Sequence, residues 1–395
     1  MKFTLIDHPA YWTNLLPLTY TRPISALRVG IVTIAEKWEH YLAESASFIT
    51  ESYLSKKYLY NSAQDQLFIN SALLPSATLV EQIEKLESGA ALVSENEVLA
   101  YRASSPRPLK IEEFDNKIEI DVEFNMVTQR WHIFQMNGAE IRNDFDLITR
   151  GRTSKPINDP FTRVYGEENL FIEEGVYIKA AIINAENGPV YLGKDAHISE
   201  GAIIRGPFAM GEGAAVGVGG KFRGDTTLGP YCKVAGEVSN SVFYAYSNKS
   251  HEGYVGNTVI GEWCNMGADS NCSNLKNNYK PIKTWNYATQ QLEQTDLQFC
   301  GLVMGDHTKC GINTMFNTAT VAGVGANIFG AGFPDTFIPS FAWGGAEGFD
   351  TYRIDKMMET AGLVMGRRQK PLTEVDINIL KAVYEKTAQE RTWEI

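Results

Sequence analysis

The chain has 395 residues, 44% of them hydrophobic and 21% charged, which is the make-up of a globular protein long enough for more than one core. Its formal net charge of −11 excludes a general nucleic-acid or anionic-membrane surface, but leaves room for a local basic pocket around a phosphorylated small molecule. No stretch approaches the roughly 20 apolar residues that span a bilayer, and MKFTLIDHPAYW lacks the apolar core of a secretory signal. Five cysteines, Cys232, Cys264, Cys272, Cys300 and Cys310, contain no CxxC pair. They fit a reducing cytoplasm better than a disulfide framework or a zinc site.

In chain order, residues 1–105 alternate strand-like runs (FTLID, LFIN, ALVS) with helix-like ones (RVGIVTIAEKWEHYLA, LVEQIEKLES), the pattern of an α/β domain. Residues 106–165 carry strand-like KIEIDVEF and WHIFQM before a polar run, and are expected to be a β-rich connector. From Leu192 an apolar residue recurs every six positions, at Ile198, Ile204, Met210, Val216, Phe222, Leu228 and Val234, usually followed by a small residue. A period of six cannot be an amphipathic helix, whose stripe recurs at about 3.6. It is the signature of a left-handed parallel β-helix, in which each hexad forms one side of a triangular coil and its lead aliphatic stacks inside. The competing reading is a glycine-rich β-sandwich with a chance pattern.

After Val234 the frame slips by two and resumes at Val242, Asn248, Tyr254, Ile260, Met266 and Cys272; it returns at Met304, Cys310, Phe316, Ala322 and Ile328. The polar, aromatic stretch at about 275–300 is expected to be a loop thrown out of the coil, within a β-helix domain of residues 166–349. Residues 350–395 read as two helices broken at Gly366–Pro371.

The segment NKSHEGYVGNTVIGEWCNMGADSNCSN resembles the acetyltransferase half of the bifunctional enzyme that N-acetylates glucosamine 1-phosphate and then uridylylates the product. The similarity spans about 165–345 and is specific at 237–274, and the whole chain resembles a group of bacterial alternative forms of that enzyme. It implies an acetyl-CoA-dependent transferase with His251 as general base, Glu237 orienting it, and the Ala268 N–H as oxyanion donor. Asn265 and Asn274 would hold the sugar and its amine. Tyr254, Lys280 and Lys221 or Arg223 would grip the phosphate, and Arg367 or Arg368 would meet the coenzyme A phosphates. It implies a homotrimer as well. The family's lysine two residues after the glutamate is Ser239 here, and the residue after the second asparagine is Leu275, which puts the acceptor's identity in question. Without the resemblance, Glu237, Lys221 and Arg223 read as surface charges, and the asparagines as turn residues.

Near the start, LLPLTYTRPISALRVG resembles the opening motif of sugar-phosphate nucleotidyltransferases through Pro17-Leu18-Thr19 and Pro23. Its glycine-rich loop is replaced by DHPAYWTN, Asn14 stands where the catalytic arginine belongs, and Ile24 replaces a lysine. Asp7 is a candidate Mg²⁺ ligand, and Arg22 and Arg28 are candidate phosphate cations. Three functions remain open: acyl transfer in the coil, nucleotidyl transfer with the coil as scaffold, and non-catalytic sugar-nucleotide binding.

Overall fold

The computed structural model describes residues 2–394, whose contacts divide the chain into two compact units. One comprises residues 1–15, 21–27 and 32–129; the other comprises 16–20, 28–31 and 130–395. The first is built on a six-stranded mixed sheet, in the order Ser47–Ile49, Phe3–Ile6, Gln66–Asn70, Glu97–Ala103, Ala90–Ser94 and Asn116–Glu119. Its first three strands are parallel and Glu97–Ala103 runs against its neighbours. Helix α1 (Pro9–Asn14) follows the first strand. Helix α2 (Ile34–Leu42) opens on a reciprocal capping box between Thr33 and Glu36, and α3 (Ala77–Glu84) on a Ser76 cap. Of the run RVGIVTIAEKWEHYLA only the second half is helical.

The second unit is a parallel β-solenoid of about ten turns over residues 163–344. Each lead residue from Leu192 to Val234 points inward and is at most 1% exposed, and pairing places Leu192 beside Met210 and Met210 beside Leu228. Burying such side chains contributes about 1.5–3 kcal/mol each, enough to hold coils whose sides are only two or three residues long. The first face runs from Leu170–Ile172 to Phe337–Ile338. The second runs from Tyr177–Ile178 to Ala342–Gly345, where an antiparallel strand, Gly348–Thr351, is added at the end. The third runs from Arg163–Tyr165 to Tyr254–Gly256. At the opposite end, Lys155 N–H donates to the Ile172 carbonyl, laying residues 154–159 over the first coil.

The frame beyond Val234 differs from the expected one. The inward residues are Val238, Phe243, Lys249 and Val255 before Ile260, so Val242, Asn248 and Tyr254 are not the stacking positions. Residues are lost at several corners here, and a running count of six cannot show which corner lost them. The extruded segment is not a plain loop. It folds into a hairpin, Lys283–Asn286 against Gln291–Gln294.

A second correction concerns WHIFQM. It opens helix α4 (His132–Thr149), so the expected β-rich connector contains 18 helical residues. This helix lies on the first face of the solenoid, and its buried stripe includes polar Asn137, Glu140 and Asp144. Asn137 Nδ2 donates to the Asp225 carbonyl at 2.9 Å, and Asp144 Oδ2 accepts from Ile31 N–H at 2.7 Å. At Gly138 a Cβ would lie 2.0 Å from Asp225 Oδ1, so any larger residue here would have to displace that carboxylate.

Helices α5 (Ile354–Gly366) and α6 (Glu374–Lys386) end the chain, with the expected break between them. At successive corners beside the second face, Tyr231, Tyr246, Trp263 and His307 all adopt positive φ near 60°, and their rings stack at 5.3, 4.1 and 6.4 Å. A left-handed conformation costs a non-glycine residue roughly 1–2 kcal/mol, which stacking of about 0.5–1.5 kcal/mol per pair largely offsets.

Candidate active site

His251 sits on an exposed corner between the second and third faces. The next corner along the solenoid carries Ala268 and Asp269, and the two are tied together by Asp269 N–H donating to the Glu252 carbonyl at 3.0 Å. Among the described backbone bonds none uses the Ala268 N–H, at the corner beside His251.

On the third face, Glu237 pairs in register with Tyr254. Asn274 Nδ2 donates to Tyr254 Oη at 3.0 Å and to Asn257 Oδ1 at 2.7 Å, which turns the amide oxygen of Asn274 away as an acceptor and leaves the phenol proton of Tyr254 to donate. Asn271 Oδ1 caps the Tyr254 N–H at 2.7 Å, where the hairpin insertion interrupts the sheet. Gly256 and Asn257, neither singled out in the sequence, complete this cradle. A Cβ at Gly256 would lie 2.2 Å from Tyr254 Oη and 2.8 Å from Asn274 Nδ2. Gly256→Ala should therefore force the Tyr254 phenol and the Asn274 amide out of their present positions and lengthen or break the 3.0 Å bond between them, as a crystal structure of the variant would reveal.

The remaining predicted residues scatter around this centre. Glu237 Oε1 accepts from Arg223 at 2.9 Å, and Lys221 pairs with Glu252 at 3.2 Å. Glu237 is thus engaged by a guanidinium, and among the described hydrogen bonds none joins it to the His251 imidazole. Such exposed pairs are worth at most about 1 kcal/mol and open readily to a phosphate. Lys280 is exposed ahead of the hairpin, away from any described partner for its ammonium. Asn265 projects from the second face and Asn274 from beside the third, so one chain does not bring the two asparagines together.

Asn265 instead lines a cavity of about 550 Å³ whose walls carry Lys233, Lys309, Arg367 and Arg368 with Tyr246 and Trp263, and no carboxylate. Arg367 and Arg368 follow the C-terminal end of α5, and the latter donates to Asn248 Oδ1 at 3.3 Å. Burial holds the Lys309 ammonium below its usual range. Four cations around one cavity favour a multiply charged anion. Lys233 and Lys309 were not anticipated, because only the coil register reveals which lysines face the same side.

In the first unit, α1 occupies the place of a glycine-rich phosphate loop. Asp7 accepts from Ile24 N–H at 3.0 Å through Oδ1 and from Thr50 Oγ1 at 2.6 Å through Oδ2. Arg22 is buried in the same unit, whereas Arg28 belongs to the solenoid unit and donates to the Ile31 carbonyl. Among the described residues no three His, Cys, Asp or Glu side chains converge as metal ligands.

Burial pushes the Asp7 carboxyl up to about 7, against the lowering effect of its hydrogen bonds. The folded unit therefore keeps a proton that the unfolded chain releases near pH 4, and stability falls as pH rises from about 4 to 7. Asp7→Asn should remove this contribution, on the order of 4 kcal/mol, so that urea midpoints of the first unit at pH 4.5 and 7.5 converge.

Residues 3–153 match the family model described as sugar nucleotidyl transferase. Over 203 residues the chain is 30% identical to the bifunctional protein GlmU of Corynebacterium glutamicum strain R, covering 48% of this chain and 38% of that one. Over 80 residues it is 35% identical to the bifunctional protein GlmU of Methanocaldococcus jannaschii, covering 20% of this chain and 19% of the relative. The chain spans well under half the length of these curated relatives. Among solved structures, an Arabidopsis UDP-N-acetylglucosamine acyltransferase aligns at 15% identity with a TM-score of 0.25, over 53% of this chain and 78% of that one, too slight a similarity to bear on function.

The chain thus couples a sugar nucleotidyltransferase domain to a parallel β-solenoid of the hexapeptide type. It is a distant homologue of GlmU proteins over about half its length. Among the described residues no helix is long and apolar enough to cross a membrane.

Proposed function

We propose that the solenoid is an acyl-CoA-dependent N-acyltransferase for an amino-sugar 1-phosphate, with acetyl-CoA as the first donor to test. The observation that carries this reading is His251 on an open corner, one corner from the Ala268 N–H, between a cation-lined cavity and the Tyr254–Asn274 cradle. The acceptor's amine attacks the thioester carbonyl, and the imidazole of His251 takes the proton released as the C–N bond forms. The Ala268 N–H stabilises the tetrahedral oxyanion. Collapse expels the coenzyme A thiolate, which leaves with the proton held by His251. Asn274 and Tyr254 hold the acceptor, Arg223, Lys221 and Lys280 meet its phosphate, and Glu237 stabilises the imidazolium by charge. Asn265 and the Arg367–Arg368 pair face the coenzyme's phosphates.

Exposed Ile182 and Ile203, neighbours on the third face, support self-association into a homotrimer, in which a neighbouring coil completes the site. A cytoplasmic location fits the supply of these substrates.

The test is thiol release from acetyl-CoA with glucosamine 1-phosphate and related amino-sugar phosphates. Release that requires the acceptor supports the reading, and none with any acceptor removes it. The match of residues 3–153 favours a second activity, nucleotidyl transfer from UTP or dTTP to a sugar 1-phosphate. Its readout is pyrophosphate in the presence of Mg²⁺. Sugar-nucleotide binding with neither activity would leave the non-catalytic reading.

A further inference from the structure

We infer that Lys249 is a positioning residue for His251: its side chain, sealed inside the coil, clamps the backbone of the corner that presents the imidazole. The inference rests on the acyl-transfer reading only for the role given to His251.

Lys249 occupies an inward position, paired in register with Val234, where neighbouring coils place apolar side chains. It is 0% exposed, and Nζ donates to the His251 carbonyl at 2.7 Å and the Glu252 carbonyl at 2.9 Å. A methionine would fill similar volume, and replacing buried charge by an apolar residue is often neutral or stabilising. The sequence keeps a buried ammonium whose burial depresses its pKa, so something other than core packing is gained.

The corners supply the explanation. On the same row of corners some turns are closed by a backbone bond, as in Ala202 to Ser199 at 3.4 Å and Gly220 to Gly217 at 3.1 Å, and a later one by a side chain, Ser270 Oγ donating to the Gly267 carbonyl at 2.8 Å. Among the described bonds no equivalent closes residues 250–253. Lys249 performs the closure through two consecutive carbonyls that it draws inward. Drawing in the 251 and 252 carbonyls fixes two peptide planes and with them the direction of the His251 Cα–Cβ bond. Gly253, at φ 118°, has no room for a Cβ: one would lie 2.2 Å from the Ser270 carbonyl oxygen and 3.2 Å from Lys249 Nζ.

The test uses the full chain and Lys249→Met, with Lys249→Gln as a second variant that removes the charge but keeps a donor. With six histidines in the chain, ring-labelled histidine gives few NMR resonances, and His251→Ala identifies the one of interest. In folded Lys249→Met that resonance should move towards the position of a mobile imidazole while the other five stay, and Lys249→Gln should fall between. kcat for thiol release should drop about tenfold with both KM values within twofold, and the lysine substitution should add nothing in a His251→Ala background. An unmoved His251 resonance in either folded variant overturns the clamp. An additive loss in the double variant overturns the claim that it acts through His251. If the wild type releases no thiol, the acyl-transfer reading falls by itself, and the resonance still decides the clamp.

Discussion

His251→Ala is expected to lower acceptor-dependent thiol release by a hundredfold or more while leaving the melting temperature within a degree or two. A positioned general base contributes about 10²–10⁴ to rate, and no other imidazole lies on this corner or the next one along the solenoid. The stability side follows from location. His251 is exposed, and the hydrogen bond described at residue 251 is accepted from Lys249 Nζ by the backbone carbonyl, which alanine retains. Exposed substitutions of this kind usually change stability by less than about 0.5 kcal/mol. Acetyl-CoA binding, measured by calorimetry on the variant, should be unchanged. A variant that still releases thiol at the wild-type rate would move the base elsewhere.

A large effect on stability is expected for Phe222→Ala, at about 3–5 kcal/mol. Phe222 is 1% exposed, pairs in register with Ile204 and Val238, and packs its ring 5.1 Å from that of Phe208. A solenoid cannot close such a void by collapse, since each coil is held at a fixed spacing by the strands on either side. The measurement is the urea midpoint of the solenoid transition, followed separately from that of the first unit because the chain need not unfold in one step. Coils on either side should lose protection together.

The contrast between these two positions tracks what could be read from the residues. Phe222 is an unbroken member of the six-residue series, and its inward direction follows from the spacing alone. His251 was legible through the residues around it, because motif spacing survives the frame slip. Lys249 was not, because a count of six places Asn248 inside the coil, and a lysine is the last residue expected there. Asn257 was hidden for another reason: its value lies in orienting Asn274, a contact across a coil rather than along the chain. Helix α4 escaped because its buried stripe holds polar Asn137, Glu140 and Asp144, the first and last of which accept from the Gly30 and Ile31 N–H groups. Apolar periodicity is blunted in a helix whose packing face mixes such hydrogen-bond partners with Ile133, Phe134 and Ile141.

The strand added antiparallel to Ala342–Gly345 reverses the direction of the second face at its last coil. A stack of parallel coils carries no internal limit on its length, and a bare terminal coil is a template on which another chain can continue. The reversed strand offers the wrong polarity for that, and residues 154–159 cover the first coil at the far end. The solenoid is therefore a stack kept finite by a few residues at each end, and removal of either cover is expected to expose an edge on which end-to-end association can begin.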